Sequence, residues 1–173
     1  MKKTILLFSI LLASCAGKQT QEIRTMERLS TASRNDYYVS NRAPLQPLQF
    51  IKLPAGSIEP EGWIRRQIEL QKDGLCGHLG EISAWLQKGN NAWLKNGGEW
   101  GWEEVPYWLR GYGNMAYALK DEALLKEPKF WIEAILASQR ADGNFGPVHL
   151  NNGKQDFWPN MIVLWIMQSY HEY

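Results

Sequence analysis

The sequence predicts an all-α fold in which helices follow one another in pairs, joined by long loops rich in aromatic residues and glycine. Apolar residues recur at helical spacing in several segments after residue 60. The one extended segment, residues 45–53, contains Pro47 and follows Pro44, which confines it to an edge strand or to a strand outside a sheet. A nucleotide-binding strand–helix unit is not predicted, because the GxGxxA pattern at residues 111–116 lies inside a helix.

Composition indicates one folded domain and excludes two classes of protein. The chain has 173 residues and a net charge of +1, so it carries no basic field that would bind a nucleic acid. A hydrophobic content of 45% excludes a disordered chain. Nine tryptophans are many for this length, and all of them lie between Trp63 and Trp165.

The N-terminus predicts export. Lys2 and Lys3 precede an apolar run at residues 5–12, and Leu-Ala-Ser-Cys at 12–15 matches a bacterial lipobox. We therefore expect residues 1–14 to be a lipoprotein signal peptide and Cys15 to carry lipid that anchors the protein to a membrane, on the periplasmic or cell-surface side. The alternative is an ordinary secretory signal. Residues 15–43 are polar and predict a flexible tether to a domain at 44–173.

The first helices of this domain are predicted from their boundary residues. Ser57 is a candidate N-cap, Pro60 suits a first helical turn, and Gly74 is a stop signal. A second, short helix is expected at residues 81–87, with Trp85 in its apolar stripe. Cys76 lies between them; it is either a small buried hydrophobe or, with His78, a thiol–imidazole pair.

The central stretch, residues 97–112, combines aromatic residues with adjacent carboxylates in the sequence GGEWGWEEVPYWLRGY. Flat aromatic faces beside carboxylates suit a sugar ring, whereas the alternative is a tryptophan-rich packing cluster. Pro106 predicts a helix that begins there and keeps Val105 out of the helical conformation. Glu103 and Glu104 would then precede the helix with diverging side chains, one towards a cleft and the other capping the helix or facing solvent.

This helix contains Gly111 and Gly113, which predict close approach by a neighbouring backbone or a ligand. Asp121 is expected to cap the next segment, with a helix from about Pro128 to about Arg140. The run at residues 161–167, apolar on every side, predicts a buried helix.

Further site candidates lie in the second half of the chain. Asp156 precedes Phe157 and Trp158 and could contact a sugar, with N-capping of the following helix as the alternative. His149 lies in a loop and is either a sugar contact or a surface histidine. Glu103 and Asp156 are the candidates for a catalytic carboxyl group, because glycoside hydrolysis usually needs two such groups. The full set of predicted substrate-binding residues is Trp102, Glu103, Glu104, Tyr107, Trp108, His149, Asp156 and Trp158.

Several segments together resemble the N-terminal part of the catalytic domain of glycoside hydrolase family 127, the β-L-arabinofuranosidase-like proteins. They are LPAGSI at 53–58, GWIRRQ at 62–67, QKDGL at 71–75, WEEVPYWL at 102–109, ILASQRADG at 135–143 and WPNM at 158–161. The resemblance implies an (α/α)6 toroid, a ring of six helical hairpins with the glycan in its centre. It also implies removal of terminal arabinofuranose from plant glycans by a cysteine nucleophile beside a zinc ion.

The chain departs from this pattern in its length, since a full ring needs more helices than the sequence predicts. We therefore expect an incomplete ring, a truncated family member without the cysteine and zinc region. No metal ligands are predicted in this chain, although zinc is expected for the full-length family. The predicted function is that of a glycoside hydrolase-like lipoprotein that acts on, or derives from an enzyme acting on, arabinofuranose-containing plant glycans. The alternative is a non-catalytic carbohydrate-binding surface lipoprotein.

Overall fold

Five α-helices and one short 3-10 turn form the regular structure of the part of the chain that a computed structural model describes. The structure describes residues 34–94, 98–148, 154 and 156–173, which all lie within the compact unit Thr31–Tyr173. The elements are α1 (Gly62–Asp73), α2 (Leu75–Ile82), the 3-10 turn (Ala84–Leu86), α3 (Glu104–Leu119), α4 (Glu122–Ala137) and α5 (Trp158–Glu172). Across the described ranges only isolated β-bridges occur and no strand, which confirms the all-α prediction for them.

Several predictions concern residues outside this part of the chain. The signal peptide at 1–14, the lipidation site Cys15, most of the tether and His149 are not among the described residues. Within the described residues, no helix has the length and apolar character needed to cross a membrane.

The first two helices follow each other with one glycine between them. Gly74 ends α1 as predicted, but its extended conformation lets α2 begin at the next residue. The prediction of a helix at 81–87 is therefore wrong: α2 ends at Ile82, where extended Ser83 interrupts the helix. Ser57 is not an N-cap either. Its N–H closes a turn onto the Pro54 carbonyl (3.1 Å), and Glu61 holds the N-cap position of α1.

Helix α3 begins two residues before the predicted start, with Glu103 at its N-cap position and Glu104 as its first residue. Pro106 costs no hydrogen bond there, because the first N–H groups of a helix have no intrahelical partner. Val105 takes the helical conformation despite preceding a proline. Its side chain is fully buried in the core, and this burial offsets the local preference.

Helix α4 begins at Glu122, six residues before the predicted start near Pro128, which lies buried inside it. As predicted, Asp121 caps the helix: its carboxylate accepts the N–H groups of Ala123 (2.9 Å) and Leu124 (3.2 Å). These bonds set the start, and the buried face around Pro128 carries the helix through the missing N–H. The helix ends at Ala137, before the predicted Arg140.

The core has two clusters that meet at Trp108. The larger cluster joins α3, α4 and α5 around residues that are almost fully buried: Leu86, Trp93, Val105, Leu109, Trp131, Ile132, Ile135, Val163 and Ile166. The smaller contains Tyr112, Met115 and Leu119, and Trp108 packs against both. Helix α5 is buried on one side only. The prediction that it is buried on every side is wrong, because Leu164 and Trp165 are more than half exposed.

Helices α3 and α5 lie side by side and run parallel. At their N-terminal ends the Trp158 indole N–H donates to the Glu103 carboxylate (3.0 Å). Further along, the Arg110 guanidinium lies 4.4 Å from the centre of the Trp165 ring. At the far ends Tyr117 stacks on Tyr173, with ring centres 4.7 Å apart. The contacts follow the same order along both helices, so their N-termini share one end.

The C-terminal end of α5 is tied to residues that precede α1. The buried Glu172 carboxylate accepts hydrogen bonds from the Tyr38 hydroxyl, from Lys52 Nζ (2.5 Å) and from the Ala55 N–H (2.9 Å). Burial opposes ionisation of Glu172, but these bonds lower its pKa below the ordinary value. The packed part of the chain therefore reaches back to Tyr38, inside the predicted tether.

The glycines of α3 do not meet the partners that the sequence predicts. A Cβ atom added at Gly111 would have no atom within 4 Å, and the atoms nearest to one at Gly113 would belong to the Tyr117 side chain of the same helix, at 3.5 Å. Among the described residues, neither glycine is required by the close approach of another element.

Candidate functional site

An open depression of about 460 Å³ lies where the N-terminal ends of α3 and α5 meet. Three tryptophans and four carboxylates line it, in the set Trp85, Glu99, Trp100, Gly101, Trp102, Glu103, Glu104 and Asp156. The tryptophans come from the 3-10 turn and from the loop before α3, and Asp156 precedes α5.

Two buried side chains hold the loop that carries this lining. The Asn91 amide donates to the Trp85 carbonyl (3.0 Å) and accepts the Trp93 N–H (3.1 Å). The Trp93 indole N–H in turn donates to the carbonyls of Gly101 (3.0 Å) and Trp102 (3.1 Å). Because Asn91 and Trp93 are almost completely buried, these bonds are shielded from water and fix the loop against the core.

Gly101 is required at the closest point of this packing. Its φ angle is +84°, in the left-handed region that favours glycine. A Cβ atom there would lie 2.4 Å from Nδ2 of Asn91 and 2.6 Å from the Trp85 carbonyl oxygen. Any side chain at this position would push apart the two segments that carry Trp85 and Trp102.

Trp158 links the carboxylates at the two helix ends. Its indole N–H donates to Glu103 (3.0 Å), and its backbone N–H donates to the Asp156 carboxylate (2.9 Å). Asp156 thus binds the first N–H group of α5 from one residue before the N-cap position, which Phe157 holds, so it is not the N-cap that the alternative predicted, and it lines the depression. Trp158 is 49% exposed, so part of it is accessible to a ligand.

The structure brings together five of the predicted substrate-binding residues. Trp102, Glu103, Glu104 and Asp156 line the depression, and Trp158 is hydrogen-bonded to two of them. Both consecutive glutamates line the depression, whereas the sequence predicted that only one would face a cleft.

Two predicted residues do not line the depression. Tyr107 is exposed on α3, one turn beyond Glu103. Trp108 is half-buried, donates its indole N–H to the Cys76 carbonyl (3.2 Å) and lies 4.9 Å from the Tyr112 ring.

Sequence reasoning did not assign Trp85, Glu99 or Trp100 to the set of substrate-binding residues, although Glu99 and Trp100 lie within the central stretch. Trp85 is half exposed, in contrast to the apolar helix stripe predicted for it, and the Asn91 bond to its carbonyl brings it to the loop. The spacing between Trp85 and Trp102 carries no periodic signal, because buried hydrogen bonds and not a helix bring them together. The only sequence signal was the Gly-Asn-Asn run at 89–91, which predicts a turn.

The lining suits a neutral polyol. It contains four carboxylates and no cationic side chain among the described residues, so acceptors outnumber donors. Indole faces offer flat apolar surface for sugar C–H groups, and the carboxylates can accept hydrogen bonds from hydroxyls.

The described residues do not fit a zinc ion. No group of three or more His, Cys, Asp or Glu side chains in the described ranges is arranged to hold a metal. Cys76 is half-buried beside the smaller core cluster, and burial raises the pKa of its thiol. His78 pairs with Glu81 (Nδ1 to Oε1, 2.8 Å), so a Cys76–His78 pair does not form. Cys76 behaves as the small buried hydrophobe of the first interpretation.

Comparison with known proteins gives one family. The family model described as the beta-L-arabinofuranosidase GH127 catalytic domain matches residues 23–172. Neither the curated proteins nor the solved structures contain a match to this chain.

Proposed function

The chain belongs to the β-L-arabinofuranosidase family GH127, and from this premise we propose that its depression binds arabinofuranose-containing plant glycans as part of a glycoside hydrolase. The observation that carries the proposal is the lining itself, three indoles and four carboxylates at one end of two parallel helices. The family supplies the class of substrate, and the lining matches that class because it offers acceptors and flat apolar faces to a neutral sugar.

We also propose that the helices are part of an (α/α)6 toroid. The packing of α1 against α2 and of α3 against α4 supports this, since consecutive contacting helices are the hairpins from which such a ring is made.

Each lining residue has a defined role in this proposal. Trp100 and Trp102 stack on sugar rings, and Glu103 and Asp156 accept hydrogen bonds from hydroxyl groups. The bonds from Trp158 to both carboxylates hold them in place before a ligand arrives, which lowers the entropy cost of binding. Zinc chemistry is not assigned to any described residue.

Calorimetry with short arabino-oligosaccharides tests the site. We expect millimolar or tighter binding, and Trp102→Ala should weaken it at least tenfold, about 1.4 kcal/mol. Trp63→Ala is the matched control, because Trp63 is 77% exposed on α1 and does not line the depression. Absence of binding at millimolar ligand, or equal losses in both variants, would rule out the depression as the glycan site.

Hydrolysis separates the proposal from its alternative, a carbohydrate-binding lipoprotein without catalysis. Release of the aryl group from an aryl β-L-arabinofuranoside by the purified protein supports the hydrolase. Binding of arabino-oligosaccharides without any release supports the alternative.

We further propose that the protein is exported and anchored to a membrane by lipid on Cys15, on the basis of the lipobox at residues 12–15. Cells grown with a labelled fatty acid should incorporate the label into the wild-type protein and into Cys76→Ser, but not into Cys15→Ser. Labelling of the Cys15→Ser variant would exclude this anchor.

A further inference from the structure

A second pocket, of about 360 Å³, lies further along the same two helices. Its lining combines α3 and α5 with the segment before α1, in the set Lys52, Leu53, Ala55, Arg110, Asn114, Trp165, Gln168, Ser169 and Glu172. None of these residues lines the depression, and the predicted sugar site includes none of them.

The charge of this pocket is opposite to that of the depression. Glu172 is its only carboxylate, and Lys52 neutralises it at 2.5 Å while Tyr38 and the Ala55 N–H occupy its oxygens. Arg110 has no carboxylate within ion-pair distance among the described residues. One guanidinium charge is therefore not compensated in the pocket.

Arg110 is held ready for a planar anion. Its guanidinium lies over the Trp165 ring, 4.4 Å from the ring centre, and this cation–π contact holds it without using its N–H donors. A guanidinium presents paired donors that match both oxygens of a carboxylate. A ligand carboxylate would thus find a charged partner that already lies against the Trp165 ring.

The remaining lining suits a sugar ring. Trp165 is 54% exposed and offers apolar indole surface, while Asn114, Gln168 and Ser169 supply amide and hydroxyl groups for ring hydroxyls. A sugar that carries a carboxylate uses both halves of this lining, the polar side chains and the guanidinium.

We propose that this pocket binds a uronate, a sugar residue with a carboxylate, in the same glycan whose arabinofuranose lies in the depression. The inference rests on the proposed function of the depression. Trp158 and Trp165 are separated by two helical turns, which is about 10 Å along α5. The pair Glu103–Trp158 marks the depression, and the pair Arg110–Trp165 marks the second pocket. Tyr107 and Met161, which lie between these pairs along α3 and α5, are both 49% exposed. A short oligosaccharide can span this distance.

The two sites would also fix the direction of the glycan. Four carboxylates in the depression repel a uronate, whereas Arg110 attracts it. A glycan with a neutral arabinofuranose end and an acidic residue further along therefore binds in one orientation.

The test compares three probes by calorimetry: a neutral arabino-oligosaccharide, the same compound extended by a glucuronate residue, and the methyl ester of that glucuronate. We expect the acid to bind about tenfold more tightly than the ester, and we expect added salt to reduce this preference. Arg110→Gln should abolish the preference without weakening binding of the neutral probe, and Arg110→Lys should keep only part of it.

The outcomes separate the two proposals. Equal affinity for acid and ester in the wild type, with the neutral probe bound, overturns the uronate site alone. The uronate site is also overturned if Arg110→Gln weakens all three probes equally, because its effect is then not on the carboxylate. If none of the three probes binds, the proposed function of the depression fails as well.

Discussion

At the scale of single residues, the shape of the depression depends on groups that never face a ligand. Asn91 is fully buried, yet it uses its amide as both donor and acceptor, so its burial leaves no unpaired polar atom. The Trp93 indole N–H is paired as well, because it donates to two carbonyls. The exposed tryptophans and carboxylates are thus positioned by buried hydrogen bonds, and substitution beneath the surface should affect binding as strongly as substitution on it.

The same substitution at two glycines tests the packing of the loop beneath the depression. Gly101→Ala should destabilise the fold by about 1–3 kcal/mol or more, because its φ is positive and the added Cβ meets Asn91. Gly111→Ala should stabilise it by up to about 1 kcal/mol, because the methyl group meets nothing and alanine favours the helix. Urea unfolding followed by tryptophan fluorescence measures both. Equal stabilities of the two variants would contradict the described packing of the loop.

The buried hydroxyl of Tyr117 should lower the stability of the fold by a measurable amount. It is buried and has no hydrogen-bond partner among the described residues, and burial raises its pKa. Tyr117→Phe should raise the free energy of unfolding by about 1 kcal/mol, because it removes an unpaired polar atom and keeps the stack on Tyr173. Tyr107→Phe, at an exposed position, should change it by less than about 0.5 kcal/mol. Destabilisation by Tyr117→Phe would show that the hydroxyl has a partner.

At the scale of elements, the parallel pair α3–α5 organises both proposed sites. Parallel neighbours bring two helix N-termini together, and the unpaired N–H groups there favour nearby carboxylates such as Glu104. The opposite end of α5 is fixed separately, through Glu172 and the segment before α1. The pair is therefore held at both ends, by Glu103 with Trp158 at one end and by Glu172 at the other.

The Glu172 contacts should make stability depend on pH. The folded-state pKa of Glu172 lies below the unfolded value of about 4.5, so its contribution is present above that pH and is lost as pH falls through the folded-state pKa. Glu172→Gln should lower the free energy of unfolding at pH 7 by about 1–3 kcal/mol. The difference from wild type should shrink below about pH 4.5.

Thermal melts between pH 3 and pH 7 measure this difference. Glu133→Gln is the control, because Glu133 forms an exposed pair with Lys129 and should contribute less than about 1 kcal/mol. A difference between wild type and Glu172→Gln that stays constant over the range would mean that Glu172 is not charged in the fold.

At the scale of the whole molecule, the sequence predicted which residues cap or end a helix, but it did not predict which distant side chains the fold brings together. Asp121 as a cap and Gly74 as a stop follow from short-range rules, and both are confirmed. The start at Pro106 was wrong because burial of Val105 outweighed the local preference of the residue before a proline, and the start near Pro128 was wrong because the bonds to Asp121 set it at Glu122. The aromatic and acidic stretch before α3 was recognisable from composition alone.

Residues that join the depression from elsewhere could not be predicted. Trp85 reaches it through a bond to Asn91 that has no sequence periodicity. Conversely, Trp108 stands inside the aromatic stretch, but helical geometry turns its ring away, towards α2 and α4. A sequence places residues in order along the chain, and only the packing of the helices decides which aromatic faces meet solvent.

Trp108 is therefore the residue at which the two interpretations of the aromatic stretch, sugar site and packing cluster, can be separated. It contacts both core clusters, lies 6.4 Å from the Trp131 ring and bonds the Cys76 carbonyl, so it connects α2, α3 and α4. Trp108→Ala should lower the free energy of unfolding by about 3 kcal/mol. Trp108→Phe should lose less, about 1 kcal/mol for the indole hydrogen bond and some packing.

Chemical unfolding gives these values, and calorimetry with the neutral arabino-oligosaccharide gives the affinity of the same variants. We expect Trp108→Phe to bind as tightly as wild type while Trp102→Ala binds weakly at unchanged stability, because Trp102 lines the depression and Trp108 supports the core. If Trp108→Phe instead loses binding without losing stability, its ring contacts the sugar, and the packing of α3 against α2 must open when a glycan binds.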